Sequence, residues 1–442
     1  MLYWLSEERG TDLKKTDLKS YFAAILLALL FSAIHSSAAA HPSVPIDIAV
    51  TFGKDPLTEK NLTWVTDSAS KSPPIVVVQE LPSGLWRVFF GSSETVTGGD
   101  KTKFKSNKAN ISGLRKDTTY QYFCSGGASD AWSGRGFFRT GAEAGDFTFL
   151  YMADPQAATD LQFSQWGQCL ARAHVKFPDA RFLAIAGDLV DKGSVENYWD
   201  KFFQYGSQVL TNLTVVPAIG NHDSVPGNTF SEHFNLTGNN HGLPDYVYSF
   251  DFGNARFVVL STEKTYAELA RGNEKTRRQA NQFLDSQISF LRSEVSKSEK
   301  KWNVVILHKG VYSGGIYAET DETRYYRAKL ALVFDELSID AVLQGHNHTF
   351  DRAFLYCGKT PPGVTADSKS ARKGSGTLYL TANTAGSKFY QASKTKPAYL
   401  LKHGQPDMQM YTGVTVSDDF MRFDTYCDGD VLFDTFTINE QL

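Results

Sequence analysis

Five short apolar runs in this chain each end beside a side chain able to bind a metal, and that recurrence constrains the fold more than any other feature. Met152 leads to Asp154, Ala186 to Gly187-Asp188, Ile219 to Gly220-Asn221-His222, Leu307 to His308, and Leu343 to Gly345-His346-Asn347-His348. A short apolar run bounded by turn residues reads as a buried strand. In an open α/β sheet the carboxyl edge of the strands is where ligands bind. Gly220 lets the backbone turn sharply, so Asn221 and His222 project together at that edge. Each step alone has an ordinary explanation: Asp154 as a turn residue before Pro155, Asp188 as a helix N-cap, His308 as a satisfied core histidine. All five on one edge argue for a site.

The chain, 442 residues long, exceeds one ordinary hydrophobic core, and its apolar content of 42% describes a globular protein. Residues 45–140 read as short strands punctuated by Gly, Pro, Asn and Ser, the pattern of an all-β sandwich. After a linker at 141–145, strands alternate with helices expected at 161–175, 196–210 and 276–296, which is α/β order. With 45 basic against 48 acidic residues and no long run of one sign, no nucleic-acid-binding surface is expected.

The N-terminus joins Lys14, Lys15 and Lys19 to an uncharged run at 22–34 and then small residues to Ala40, the three parts of a secretory signal peptide. That run is shorter than the roughly 20 residues that span a bilayer, so a secreted or periplasmic protein without stable membrane insertion is expected, over residues left after cleavage near Ala40. Four cysteines suit an oxidising compartment, and Cys357 with Cys427 is the favoured pairing. Asn61, Asn110, Asn212 and Asn235 open glycan sequons; Asn347 opens a fifth that a working site would forbid.

Two metal ions held close together need a ligand that bridges them, and a carboxylate at Asp188 can do so. Mixed imidazole and carboxylate donors favour Fe, Mn or Zn, and the absence of Cys among these positions argues against a structural zinc cluster. His222, beside Asn221, can reach a leaving oxygen without binding metal and serve as the catalytic acid.

Taken in order, Asp154, Gly187-Asp188, Gly220-Asn221-His222-Asp223, His308 and Gly345-His346-Asn347-His348 resemble the motifs of the calcineurin-like metallophosphoesterases, and the preceding sandwich resembles that of the purple acid phosphatase branch. Beyond the signal peptide at 1–40, the resemblance implies a fibronectin type III-like domain over 41–142 and a four-layer α/β/β/α metallophosphoesterase sandwich over 146–442. It implies one metal at Asp154, Asp188 and His348 and a second at Asp188, Asn221, His308 and His346. The implied reaction is hydrolysis of phosphate esters by in-line attack of metal-bound hydroxide, with a phosphomonoester favoured over a diester or nucleotide. A non-catalytic surface protein is the rival of another class, and the oligomeric state is open.

Three positions depart from the family pattern. Asp191 stands where purple acid phosphatases carry a Tyr, so the charge-transfer colour should be missing. Gln156 replaces a His and is a candidate substrate contact. Ala318 occupies the place of a second catalytic His, for which Tyr312 or Tyr317 is a candidate substitute. Segments 226–244 and 312–327 are expected to rim the site, and Lys309 is a candidate phosphate-binding cation.

Overall fold

The structure, a computed structural model, describes residues 44–126, 131–236, 241–263 and 265–441. The expected signal peptide lies outside them. Among the described residues no helix is long and apolar enough to cross a membrane.

Two four-stranded antiparallel sheets form the N-terminal part. One runs Ile46–Phe52, Lys60–Asp67, Lys103–Ile111, Ser92–Thr97; the other Trp86–Phe90, Ile75–Glu80, Thr119–Cys124, Gly136–Arg139. Period-two alternation turns Val50, Leu62, Trp64, Val76, Val78, Tyr122 and Phe138 into one core between them. The sequence reading missed Ser92–Thr97 and Lys103–Ile111 because both are polar. The first is a largely exposed edge strand. The second turns polar groups toward the next domain, with Ser106 Oγ donating to Glu232 O at 2.6 Å and Lys108 Nζ to Ser231 O at 2.6 Å.

Beyond the linker two seven-stranded mixed sheets pack face to face. The first runs Thr214–Pro217, Phe182–Ile185, Phe147–Met152, Met410–Val416, Phe420–Cys427, Val431–Asn439, Ser370–Arg372; the second Tyr248–Phe252, Ala255–Val259, Trp302–Lys309, Ala341–Gly345, Thr377–Ala382, Phe350–Leu355, Lys402–Gly404. Alternation in the second sheet explains the layering. Phe257, Val304, Ile306, Leu343 and Leu380 face the first sheet, while Val258, Val305, Leu307, Val342 and Tyr379 face helices Glu274–Lys297 and Asp321–Glu336. Between the sheets Phe149 stacks on Phe182 with ring centroids 4.7 Å apart, and Phe257 meets Phe182 edge-on at 5.3 Å. Helices Asp160–Lys176 and Glu196–Leu210 cover the first sheet, bringing Trp166 and Phe202 into stacking contact at 5.2 Å. The result is the expected α/β/β/α order.

Three expectations are corrected. All four cysteines are free: Cys357 is exposed in a turn after Phe350–Leu355, whereas Cys427 is buried at the end of a strand in the other sheet. Of the expected rim 226–244, the part around Ser231 to Asn235 instead clasps the N-terminal sandwich, Thr51 Oγ1 and Asn61 Nδ2 donating to Asn235 O at 2.6 and 3.0 Å. That contact also engages the buried Asn61 amide, so its sequon is closed in the folded chain. Of the rim 312–327, only the part before Asp321 is loop. Thr320 caps the helix Asp321–Glu336 by accepting from Thr323 N, with Asp321 and Glu322 in its first turn.

Candidate metal centre

Asp154, Asp188, Asn221, His222, His308, His346 and His348 all reach one edge of the paired sheets, delivered by the five strands read from the sequence. The backbone there is unusual for its residue types. Asp154, Gln156, Asp188, His346 and His348 have φ of 53°, 37°, 51°, 73° and 45°, in the left-handed region where non-glycine residues cost energy and cluster at functional sites. The turns also need close approach: a Cβ on Gly220 would lie 2.2 Å from Asp188 Oδ1, and one on Gly187, itself at φ 87°, 2.5 Å from His308 Nδ1. Asp223 ties the turns together, its carboxylate accepting from Gly220 N at 2.9 Å and Leu189 N at 2.9 Å.

Hydrogen bonding fixes which face of each imidazole looks inward. His308 Nδ1 lies 2.9 Å from Ala186 O and must donate to it. Its Nε2 then points at two further acceptors, Asn221 Oδ1 at 3.1 Å and Asp188 Oδ2 at 3.2 Å. His348 repeats the arrangement. Its Nδ1 donates to Lys388 O, while the buried Nε2 has no hydrogen-bond partner and faces Asp154 Oδ1 at 3.5 Å. Such a convergence of lone pairs suits a positive centre between them, a proton on Nε2 or a metal ion. Ligand atoms of Asp188, His308 and His346 lie within 4.8 Å of one another, and the remaining oxygen of Asp188 is held by His222 N at 2.8 Å. These residues fit a metal.

The electrostatics agree. Burial opposes charge on His308, yet the Asp188 and Asp154 carboxylates hold its pKa up, to about 10. Asp188 is held below the carboxylate range despite burial, by His308, His222 and His346. Burial, followed by the positive charge of His308, pushes His346 down. Burial and the Asp188 charge push Asp223 up to about 8. The site is thus built to hold positive charge between Asp188 and His308, which a metal ion supplies in place of a proton.

His222 is placed otherwise. Its Nδ1 donates to Asp191 O at 2.6 Å, leaving the Nε2 edge for the site; its side chain is 32% exposed, the only one of these histidines open to solvent to that extent among those with ion-pair partners. Asp191, the position without a Tyr, also pairs through its carboxylate with Lys388. Gln156 is buried beside Asp154, with the Tyr390 hydroxyl as a side-chain hydrogen-bond neighbour. Tyr317 stacks on His346 at 4.6 Å, whereas Tyr312 packs away from the site against Tyr379 and Tyr399. Lys309 is no free cation: it is ion-paired with Glu322 at 2.8 Å and Glu263 at 3.3 Å.

Two neighbours were missed. Tyr390 stacks on His348 at 4.1 Å, and Lys388 supplies both the carbonyl for that histidine and the cation for Asp191. They come from an irregular stretch after Thr377–Ala382, where no periodicity marks them; Gln405 pins it by donating to Tyr390 O at 3.0 Å.

The model of the calcineurin-like phosphoesterases matches residues 147–350, and that of the purple acid phosphatase N-terminal domain matches residues 45–140. The chain carries a calcineurin-like phosphoesterase domain behind a purple acid phosphatase N-terminal domain. Among solved structures, a purple acid phosphatase from yellow lupin seeds superposes with a TM-score of 0.73 at 16% identity, over 91% of this chain and 75% of its own. PhoD superposes with a TM-score of 0.61 at 13% identity, over 91% of this chain and 92% of its own. At those identities the likeness concerns the fold. In sequence, uncharacterized proteins from two strains of Mycobacterium tuberculosis are 24% identical over 407 residues, 84% of this chain and 74% of theirs. The chain therefore has a metallophosphoesterase fold with a candidate metal cluster at the sheet edge.

Proposed function

We propose that this protein is an exported, acid-phosphatase-like phosphomonoesterase that works with two metal ions of the Fe, Mn or Zn class. The observation that carries the reading is the convergence of His308 Nε2, Asn221 Oδ1 and Asp188 Oδ2 on one point, next to a histidine that needs no metal. Asp154 and His348 would hold one ion, Asn221, His308 and His346 the other, and Asp188 both.

When bound, the metals supply Lewis acidity toward phosphoryl oxygens and activate water for attack. The protein's own groups do the rest. Asp191 O fixes the His222 ring so that Nε2 addresses the departing oxygen and can hand it a proton. Lys388, paired with Asp191 beside His222, is the side chain assigned here to the second charge of a monoester dianion, which it would meet by exchanging Asp191 for the substrate. Tyr317 and Tyr390 wall both histidine ligands, and their ring centroids stand 6.0 Å apart. The buried Gln156 amide, beside Tyr390, offers a donor to a phosphoryl oxygen.

Rates on p-nitrophenyl phosphate and bis(p-nitrophenyl) phosphate test the substrate class. The monoester should turn over at least about tenfold faster in kcat/KM, a difference of roughly 1.4 kcal/mol. A diester preference would overturn the assignment of Lys388.

A further inference from the structure

A second cluster of metal-binding side chains lies away from the sheet edge, at the seam between the two domains. Asp47 comes from the first strand of the sandwich, Glu196 opens the helix Glu196–Leu210, and His233 ends the short helix Phe230–His233. Their ligand atoms also lie within 4.8 Å of one another. His233 Nε2 is 2.9 Å from Glu196 Oε1, and His233 Nδ1 is 3.9 Å from Asp47 Oδ2.

All three are more than nine-tenths buried, with 5% of Asp47, 2% of Glu196 and none of His233 exposed. Asp47 Oδ2 and His233 Nδ1 are buried without a hydrogen-bond partner and point toward each other. Asp200, one helical turn after Glu196, adds a third carboxylate against Asp47. Among the described residues no Lys or Arg pairs with any of these acids. Three carboxylates around one buried imidazole, with Asp47 hydrogen-bonded to Asp200 and Glu196 paired with His233, offer the donors that a cation would join.

The local structure is shaped for the cluster. Asp47 has φ 51°, and the pairing of its strand slips between Ile46 and Ala49, a bulge that swings the carboxylate inward. The His233 ring is fixed between Trp199 at 4.9 Å and Phe104 at 5.6 Å, one aromatic from each domain. The second oxygen of Glu196 accepts from Thr229 Oγ1 at 3.1 Å. A cavity of about 390 Å³, lined by Ile46, Asp47, Asp200 and Phe203, borders the cluster on the Asp47 side.

We propose that Asp47, Glu196 and His233 form a structural metal site that takes one divalent ion of the Zn or Mn class and ties the sandwich to the phosphoesterase domain. One nitrogen and carboxylate oxygens are the donors such ions accept, and a site with a ligand from each domain contributes its binding energy to holding the two together.

The full-length chain, stripped with chelator and refilled with Zn²⁺ alone, provides the test. Crystals of the refilled protein should give anomalous density at the Zn edge between Asp47, Glu196 and His233. Elemental analysis should find about one ion per chain fewer in Glu196→Gln than in the parent, with the Zn-dependent rise in Tm reduced. Density confined to the sheet edge, or equal ion counts in the two proteins, would overturn the proposal. Should Glu196→Gln fail to fold, the crystals of the parent decide alone.

Discussion

The sheet-edge cluster and the seam cluster use the same chemistry, carboxylates around histidine, and differ in what surrounds them. At the edge, Asp188 and His308 sit on strand-end turns with the half-open His222 and Lys388 within reach. At the seam, aromatic rings close over His233, and among the described residues no Lys or Arg ion-pairs with Asp47 or Glu196. On the proposed reading, similar donors serve a reactive centre where His222 and Lys388 border them, and a fastener where only packing does. Substitutions at the edge should remove turnover and spare the fold, and those at the seam should do the reverse.

The largest effect that can break this contrast is at His222. His222→Ala should lower kcat on p-nitrophenyl phosphate by about 10²- to 10⁴-fold, with metal content and Tm unchanged, because it removes a proton donor and no ligand. A fall in bound metal would mean that His222 belongs to the ligand set. Next, Glu196→Gln should cost the Zn-loaded protein about 3 kcal/mol in stability, read from denaturant unfolding, since it removes a charged ligand of the proposed seam ion. Its kcat in the surviving folded protein should match the parent; a collapse of kcat at unchanged stability would erase the distinction. Lys388→Ala should raise KM for the monoester by about tenfold and leave the bis-ester constants nearly untouched, sharpening how the edge reads charge.

The smallest effect concerns the support behind the edge. His403 Nδ1 lies 2.6 Å from Asp351 Oδ1, and Asp351 Oδ2 accepts from Gly314 N at 2.8 Å, in the loop leading to Tyr317. The hydrogen bond to Asp351 raises the His403 pKa above the ordinary histidine value. A raised folded-state pKa means that the stabilisation is fully present below about pH 6.5 and is lost as pH rises through the folded value. His403→Gln should therefore lower Tm by a few degrees at pH 6 and by less at pH 9. An equal loss at both values would show that the contact acts without its charge.

How much of this was legible follows from the same contrast. The edge ligands could be read because each follows its own apolar run, and alternation such as Val304 to Leu307 announces a strand buried on both faces. The seam could not. Asp47 hides within a strand, Glu196 opens a helix for which it is an ordinary first-turn acid, and His233 lies in a segment read as loop. Only packing brings them together, since Asp47 and Glu196 are 149 residues apart and Glu196 and His233 are 37 apart. Lys388 and Tyr390 escaped for a related reason, since an irregular loop leaves no periodic trace. The helix Asp321–Glu336 was legible in part: Thr320 followed by Asp321 and Glu322 is a start signal, masked by the charged and aromatic residues after it.

The measurement that bears most directly on the central claim is a refilling titration. The purified protein is stripped of metal, and Mn, Zn or Fe is returned in steps while bound ions and p-nitrophenyl phosphate hydrolysis are followed together, in the parent and in Asp188→Asn. The account predicts hydrolysis that vanishes on stripping and returns with the ions in the parent, and Asp188→Asn that regains almost none. Hydrolysis that survives complete stripping, or an Asp188→Asn protein as active as the parent, would contradict it.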